Sequence, residues 1–212
     1  MHPSAKASVP VIRRLPKYYR YLRALKDAGV NNISSRELAA QMGTTPSQDR
    51  QDFNCIGNVN GRQGIGYSVD KLLYILEGLL FGGGDRLPAI LIGCGRLGTA
   101  VSSFIATNNN GFTLIAAFDV KPELMGQTIS GIPIRPLDSL EDFCSEHHPQ
   151  MAVLCVPRSG AEQISGRLVE LGIRGFWNFS HYDLSVPYPD AVVENVHLGD
   201  SLMSLGYRLR ND

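Results

Sequence analysis

Apolar residues recur with helical spacing in LPKYYRYLRALKDAG, where Leu15, Tyr18, Tyr19, Leu22 and Leu25 share one face. Pro16 fits the first turn of such a helix, and Gly29 follows its end. The string SSRELAAQMG predicts a second helix: Ser34 or Ser35 caps it, Glu37 offers a capping-box partner, and Leu38 and Met42 face inward. Gly43 then permits a tight turn. Thr45 caps a third helix, TPSQDRQDFNCIG, with Pro46 at its first position. Helix, Gly-containing turn and helix form a helix-turn-helix, whose second helix enters a major groove. NVNGRQGIGYSV follows as a small hairpin with a polar tip, Ile65, Tyr67 and Val69 alternating, and residues 70 to 81 (DKLLYILEGLLF) form an amphipathic helix. GGGDR makes a flexible joint.

Beyond the joint the pattern changes. LPAILI is a short apolar strand placed directly before Gly93, Gly95 and Gly98, and a helix continues through AVSSFIA. In that context Gly93 allows the sharp turn, Gly95 lets backbone approach a pyrophosphate, and Gly98 lets helix and strand pack closely. The helix N-terminus adds free N–H groups and a partial positive charge. A second strand, TLIAAFDV, ends at Asp119, 21 residues beyond Gly98, where an acid suits the ribose hydroxyls of NAD. Lys121 weakens that preference, because it is able to accept the extra phosphate of NADP. Strands at QMAVLCVP, IRGFWNFS and AVVENV and a helix through AEQISGRLVELG continue the alternation of a parallel sheet with covering helices. The terminal HLGDSLMSLGYRL is a short helix whose Leu198, Leu202, Leu205 and Leu209 have no evident partner in their own domain, so a second subunit is the expected cover.

Charge sharpens this division. Residues 1 to 80 carry 11 Lys plus Arg against 6 Asp plus Glu, while the rest carry 9 against 14. A basic module beside an acidic one is expected where only the first meets a polyanion; a chance split between two solvated surfaces is the other reading. Pro3, Pro10 and the charges from Arg13 interrupt any signal-peptide core, and no stretch reaches membrane-spanning length, so a cytoplasmic protein is expected. Cys55, Cys94, Cys144 and Cys155 stand singly and read as small buried or half-buried residues rather than as a redox pair or zinc site. His147 and His148 are adjacent, point in different directions on a helix, and read as a solvated helix end.

The third helix carries Ser47, Gln48, Arg50 and Gln51 near its start, residue types that donate to phosphates and base edges, with Arg62 and Gln63 at the hairpin tip and Arg14 on the first helix. Candidate dinucleotide contacts are Gly93, Cys94, Gly95, Arg96, Leu97, Gly98, Phe104, Asp119, Lys121, Val156, Pro157, His197 and Leu198. About 115 residues follow Gly98, enough to finish a nucleotide fold and its terminal helix but not a substrate domain. A Tyr67 to Lys71 YxxxK pair, similar to that of short-chain dehydrogenases, precedes the glycine loop and so lies in the wrong place. His181 and His197 remain as possible acids or bases. A non-enzymatic sensor leads over an NAD-dependent oxidoreductase and over a ligand-free interaction protein.

The runs VIRRLPKYYRYL, SSRELAAQMG, TPSQDRQDF, GRQGIGY, GCGRLG, FDVKPELMGQTISGIPI and VVENV, in that order, resemble the Rex family of redox-sensing transcriptional repressors over nearly the whole chain. The resemblance implies an α/β protein: a winged helix-turn-helix domain (residues 1–81), a Rossmann NAD(H)-binding domain (86–197) and a domain-swapped dimerisation helix (198–212). It implies a homodimer that binds double-stranded operator DNA when NADH is low and leaves it when NADH binds between the subunits. Four positions depart from the family pattern. Position 49 is usually apolar, so Asp49 sets a negative charge near DNA or a polar group in the helix packing. Gln63 stands where the wing often has a basic residue. A family Tyr near the nicotinamide is Phe104, and the family Asp after VENV is His197. By resemblance that Asp pairs with the arginine at Arg20 in one state or bonds the Tyr in the other. Phe104 has no hydroxyl and a protonated His197 repels Arg20, so a paralogue with a weakened redox response stands as an alternative.

Overall fold

The computed structural model describes residues 7–57, 59–84, 86–108 and 111–211; Pro3 and Asp85 of the sequence reading lie outside them. The chain divides into two compact units, Met1–Asp85 and Arg86–Asp212.

The first unit contains α1 (Val9–Asp27), β1 (Asn32–Ile33), α2 (Ser35–Met42), α3 (Pro46–Gly57), β2 (Tyr67–Ser68) and α4 (Val69–Phe81). Helix α1 starts six residues earlier than the pattern predicts. Its buried stripe is Val11, Leu15, Tyr18 and Leu22, and Pro10 fills the first turn. Pro16 therefore sits inside the helix, on its exposed side, and leaves the Ile12 carbonyl without a helical N–H partner. In α2 the Ser34 Oγ accepts from the Glu37 N–H while the Glu37 carboxylate accepts from the Ser34 N–H, the reciprocal cap expected from the sequence. Tyr18, Phe53 and Tyr67 form the centre, with ring centroids 5.1 and 5.0 Å apart.

The wing is smaller than a hairpin. Arg62 and Gly66 form a single bridge closed by Arg62 N–H to Gly66 O at 2.8 Å and its reciprocal at 2.8 Å. Ile65 is turned out while Tyr67 and Val69 are buried, so the three do not share one face. The strand leaving the turn pairs with β1, which lies before α2 and carried no sequence signal at two residues. A Cβ at Gly66 would stand 2.2 Å from the Ile33 carbonyl oxygen, so only glycine fits that crossing.

The second unit contains β3 (Leu87–Ile92), α5 (Arg96–Thr107), β4 (Phe112–Asp119), β5 (Thr128–Ile129), β6 (Ile132–Pro136), α6 (Leu140–His147), β7 (Met151–Leu154), α7 (Arg158–Glu170), β8 (Gly175–Asn178), β9 (Val192–Asn195) and α8 (Leu198–Asn211). The sheet order is β5-β6-β4-β3-β7-β8-β9, parallel except for β5 against β6. Strand β3 is buried on both faces: Ala89 and Leu91 pack into one layer, Ile90 and Ile92 into the other. After leading outward through β4 and β6 the chain returns to β7 beside β3, which opens a crevice at their carboxyl ends. The β5–β6 hairpin turns at Ser130 and Gly131, both left-handed, as a two-residue loop requires. No residue of α8 is buried in its own chain. Among the described residues no helix is long and apolar enough to cross a membrane, and no cluster of three His, Cys, Asp or Glu forms a metal site.

Candidate nucleotide-binding and DNA-binding sites

The glycine loop joins β3 to α5 at the β3/β7 crevice. Gly93 has φ +96°, and a Cβ there would lie 2.6 Å from the Cys155 carbonyl oxygen and 2.8 Å from Val156. A Cβ at Gly98 would lie 2.0 Å from the Gly93 carbonyl oxygen, so this glycine lets α5 close on the loop. Gly95 differs from both. It is the N-cap of α5 with φ −71° and ψ −167°, a conformation open to any residue, and nothing lies within 4 Å of its Cβ position. It also provides no side-chain cap for α5. The first-turn donors of Arg96, Leu97 and Gly98 are thus left for an anion, and the absent Gly95 side chain leaves its path clear.

Asp119 closes the other wall. Its Oδ2 accepts from the Cys94 N–H at 2.6 Å and its Oδ1 from the Lys121 N–H at 3.0 Å. The sequence reading turned this carboxylate toward a ribose; it also pins the loop to the end of β4, and its remaining lone pairs are what is left for a sugar hydroxyl. Lys121 and Pro157 are exposed, and Val156 lies against Gly93. Burial, reinforced by the Asp119 charge, pushes the Cys94 thiol up to about 12, and burial likewise pushes Cys155 to about 12. Both stay protonated near neutral pH and act as packing groups. Cys55 is exposed, contrary to the sequence reading, because it lies on the outer face of α3.

Phe104 lies eight residues beyond Arg96 on α5, about 12 Å along the helix. It is 51% exposed, and its ring stands 6.2 Å from Trp177 of β8, which in turn stands 4.9 Å from Phe179. The sequence reading missed this aromatic ladder. It also missed Asn178, buried at the end of β8. The Asn178 Nδ2 donates to Asn195 Oδ1 and to the Tyr182 carbonyl, each at 2.7 Å, while its Oδ1 accepts from Ser180, tying the ends of β8 and β9 together. His197 lies two residues beyond the end of β9. Its ring stacks on His181 at 5.4 Å, and its Nδ1 is buried with no hydrogen-bond partner among the described residues. Leu198 then opens α8 and is exposed.

In the first unit Ser47, Arg50 and Gln51 are exposed along α3, and Arg62 and Gln63 are exposed on the wing turn. Arg14 and Gln48 are placed differently from the sequence reading. Arg14 grips both oxygens of Asp52 at 2.6 and 2.7 Å, and Gln48 Nε2 donates to Asp52 Oδ1 at 2.9 Å. Asp52 is fully buried, so these two side chains satisfy a charge inside the unit and fix α3 against α1. Burial alone would raise the Asp52 carboxyl, but donation from Arg14, Gln48 and Tyr18 outweighs it and holds the group below its usual value. Asp49 is also fully buried: Tyr18 donates to its Oδ1 at 2.7 Å and Thr44 at 2.6 Å. Of the two places open to Asp49, the structure selects the helix packing. A signal existed, since Asp49, Asp52, Phe53 and Ile56 follow the i, i+3, i+4, i+7 spacing of an inward face.

Comparison with known proteins supports both halves. Residues 6–54 match a family model described as putative DNA-binding protein N-terminus, and residues 86–182 one described as CoA binding domain. A redox-sensing transcriptional repressor Rex from Thermoanaerobacter pseudethanolicus is 42% identical over 212 residues, covering 100% of this chain and 93% of its own. The chain belongs to the Rex family. A Rex from Clostridium perfringens is 43% identical over 205 residues, covering 97% of this chain and 95% of its own. Among solved structures, RSP in complex with β-NADH is 40% identical with a TM-score of 0.86, covering 98% of this chain and 96% of its own. RSP in complex with β-NAD+ and operator DNA is 41% identical with a TM-score of 0.87, covering 98% and 94%. RSP itself is described as a Rex-family repressor.

Proposed function

We propose that this Rex chain is a transcriptional repressor that binds operator DNA when NADH is scarce and leaves it when NADH binds. The observation that carries this reading is a relative matching 98% of the chain that has been crystallised both with NADH and with NAD+ plus operator DNA. The glycine loop agrees, because two of its glycines serve packing and the third leaves an open approach to the α5 N-terminus. Gly93, Cys94, Gly95, Arg96, Leu97 and Gly98 hold the pyrophosphate, Asp119 and Lys121 the adenosine end, Val156 and Pro157 the crevice wall, and Phe104, His197 and Leu198 the nicotinamide region. Although one family model is described by CoA, Asp119 at the end of β4 favours a ribose with free hydroxyls. Ser47, Arg50 and Gln51 read the major groove, and Arg62 and Gln63 meet the duplex from the wing.

The working unit is a homodimer of a DNA-binding domain (1–81), a Rossmann domain (86–197) and a helix (198–212) exchanged between subunits. The support is α8, whose Leu198, Leu202, Leu205 and Leu209 are all at least half exposed in the single chain. The protein acts in the cytoplasm, where operator and nicotinamide pool meet, and turns no substrate over. Titrating NADH and NAD+ separately into a complex with an operator duplex tests the reading: NADH releases DNA and NAD+ does not. Equal release by both, or by neither, overturns it. A weaker response than in other family members is the second reading, favoured by the unpartnered His197 Nδ1 and the missing hydroxyl at Phe104.

A further inference from the structure

The spacing Tyr67 to Lys71, misplaced for an enzyme motif, lies beside a cleft that shares only Arg62 with the sites above. Between the wing turn and the first turn of α4 lies a cleft of about 340 Å³. Its polar lining is Asn32, Asn60, Arg62, Ser68 and Lys71. Two of these are cations, two are amides with N–H donors, and one is a hydroxyl; no carboxylate lines the cleft. The nearest acid along α4, Asp70, is engaged elsewhere, its carboxylate held by Lys26 at 3.0 Å. Neither Arg62 nor Lys71 has an ion pair among the described residues. Two cations without ion pairs and two donor amides lining one cleft make a surface that prefers the oxygens of a tetrahedral anion.

The geometry points to a seat for a backbone phosphate of the operator duplex, with Lys71 as its principal charge and Asn32 and Asn60 as flanking donors. This rests on the repressor reading, since the outer wall of the cleft is the wing turn itself, from Arg62 to Gly66. A duplex laid against the wing brings its backbone to the mouth of the cleft. All five polar lining residues are exposed, which suits capture of a continuous polyanion better than enclosure of a small phosphate compound. Lys71 thereby fixes where the duplex lies without reading its sequence, a role separate from that of Arg50 on α3.

The test uses the full-length protein with operator and unrelated duplexes across a salt series. Each phosphate contact contributes about 0.9 to the slope of log K against log salt, so Lys71→Gln lowers the slope by about 1.8 for a dimer with two such contacts. Its deficit relative to wild type shrinks roughly tenfold between 50 and 200 mM salt. Operator and unrelated DNA weaken by the same factor, and Lys71→Arg restores both slope and affinity. A neutral methylphosphonate scanned along the operator backbone weakens the wild type at one position per half-site and leaves Lys71→Gln unaffected there. An unchanged slope overturns the inference, as does a changed ratio of operator to unrelated affinity. So does competition by inorganic phosphate at matched ionic strength in the wild type but not in Lys71→Gln, which would make this a small-anion site. Wild-type protein that binds no duplex instead refutes the repressor reading, a result distinguishable from all of these.

Discussion

Replacing Gly95 separates ligand recognition from folding more cleanly than any other change to the nucleotide loop. The position has φ −71° and ψ −167°, and a Cβ there meets nothing within 4 Å. Alanine is a poorer N-cap than glycine, a cost below about 1 kcal/mol. Restricting the unfolded chain returns about 0.4–1 kcal/mol, so the net change in stability is close to zero. The added methyl, however, occupies the path by which a pyrophosphate reaches the first-turn N–H groups of α5. Losing one or two hydrogen bonds to a charged group costs about 1.5–3 kcal/mol each, so the NADH dissociation constant rises by roughly tenfold for one weak bond to about 10⁴-fold for two strong ones. Gly98→Ala is the contrasting variant, because its Cβ would lie 2.0 Å from the Gly93 carbonyl oxygen and overpacking costs about 1–3 kcal/mol. Urea unfolding paired with calorimetric NADH titration reads both quantities. Gly95→Ala should keep the wild-type urea midpoint and lose affinity, whereas Gly98→Ala should lose stability. A Gly95→Ala protein that binds NADH as tightly as wild type, or that unfolds, refutes the reasoning.

Four further outcomes follow from the described geometry. Arg14→Ala leaves the fully buried Asp52 carboxylate without its main partner and should destabilise the N-terminal unit by about 3 kcal/mol, at the low end for a broken buried pair because Arg14 keeps 29% exposure; an unchanged thermal midpoint contradicts this. Because the folded Asp52 carboxyl lies below its usual value of 3.8, its contribution is present above that value and is lost as pH falls through the depressed one. Acid unfolding of Asp52→Asn should accordingly show a smaller loss of stability below about pH 4 than wild type, and equal acid sensitivity excludes this origin. Arg50→Ala should weaken operator binding by about 1–3 kcal/mol with little change on unrelated DNA, checked by fluorescence anisotropy, and equal loss on both would make Arg50 a backbone contact. Deleting the chain from Gly199 should give a monomer or an aggregate in light scattering, and a soluble dimer would remove α8 from the interface.

The parts legible in the sequence were those governed by local rules. The Ser34–Glu37 cap, the Gly43 turn and the glycine loop each depend on residues a few positions apart, and each formed where the pattern placed it. The start of α1 was misplaced because Pro16 reads as a first-turn residue, while the actual limit is set by Val11 joining the core of its unit. Strands β1 and β5 escaped notice because two residues carry no periodicity; their identity lies in the strands they pair with. The inward turn of Arg14 and Gln48 was hidden for a related reason. Basic and amide side chains in a DNA-binding helix pair suggest a polyanion, and only the burial of Asp49 and Asp52 shows that an internal acid competes for them. At the other end, the Phe104–Trp177–Phe179 ladder and the Asn178 network join elements separated by tens of residues, which no local pattern encodes.

A molecule that couples nicotinamide binding to DNA binding must obey thermodynamic linkage between its two sites. If NADH lowers operator affinity by some factor, operator must lower NADH affinity by the same factor. Measuring NADH binding with and without saturating operator, and operator binding with and without saturating NADH, yields the two factors independently. Matching factors clearly above one are expected, and a Phe104→Tyr, His197→Asp double variant should enlarge both together. Factors of one in each direction, with both ligands still binding tightly, would mean that the two sites share a chain but not a switch.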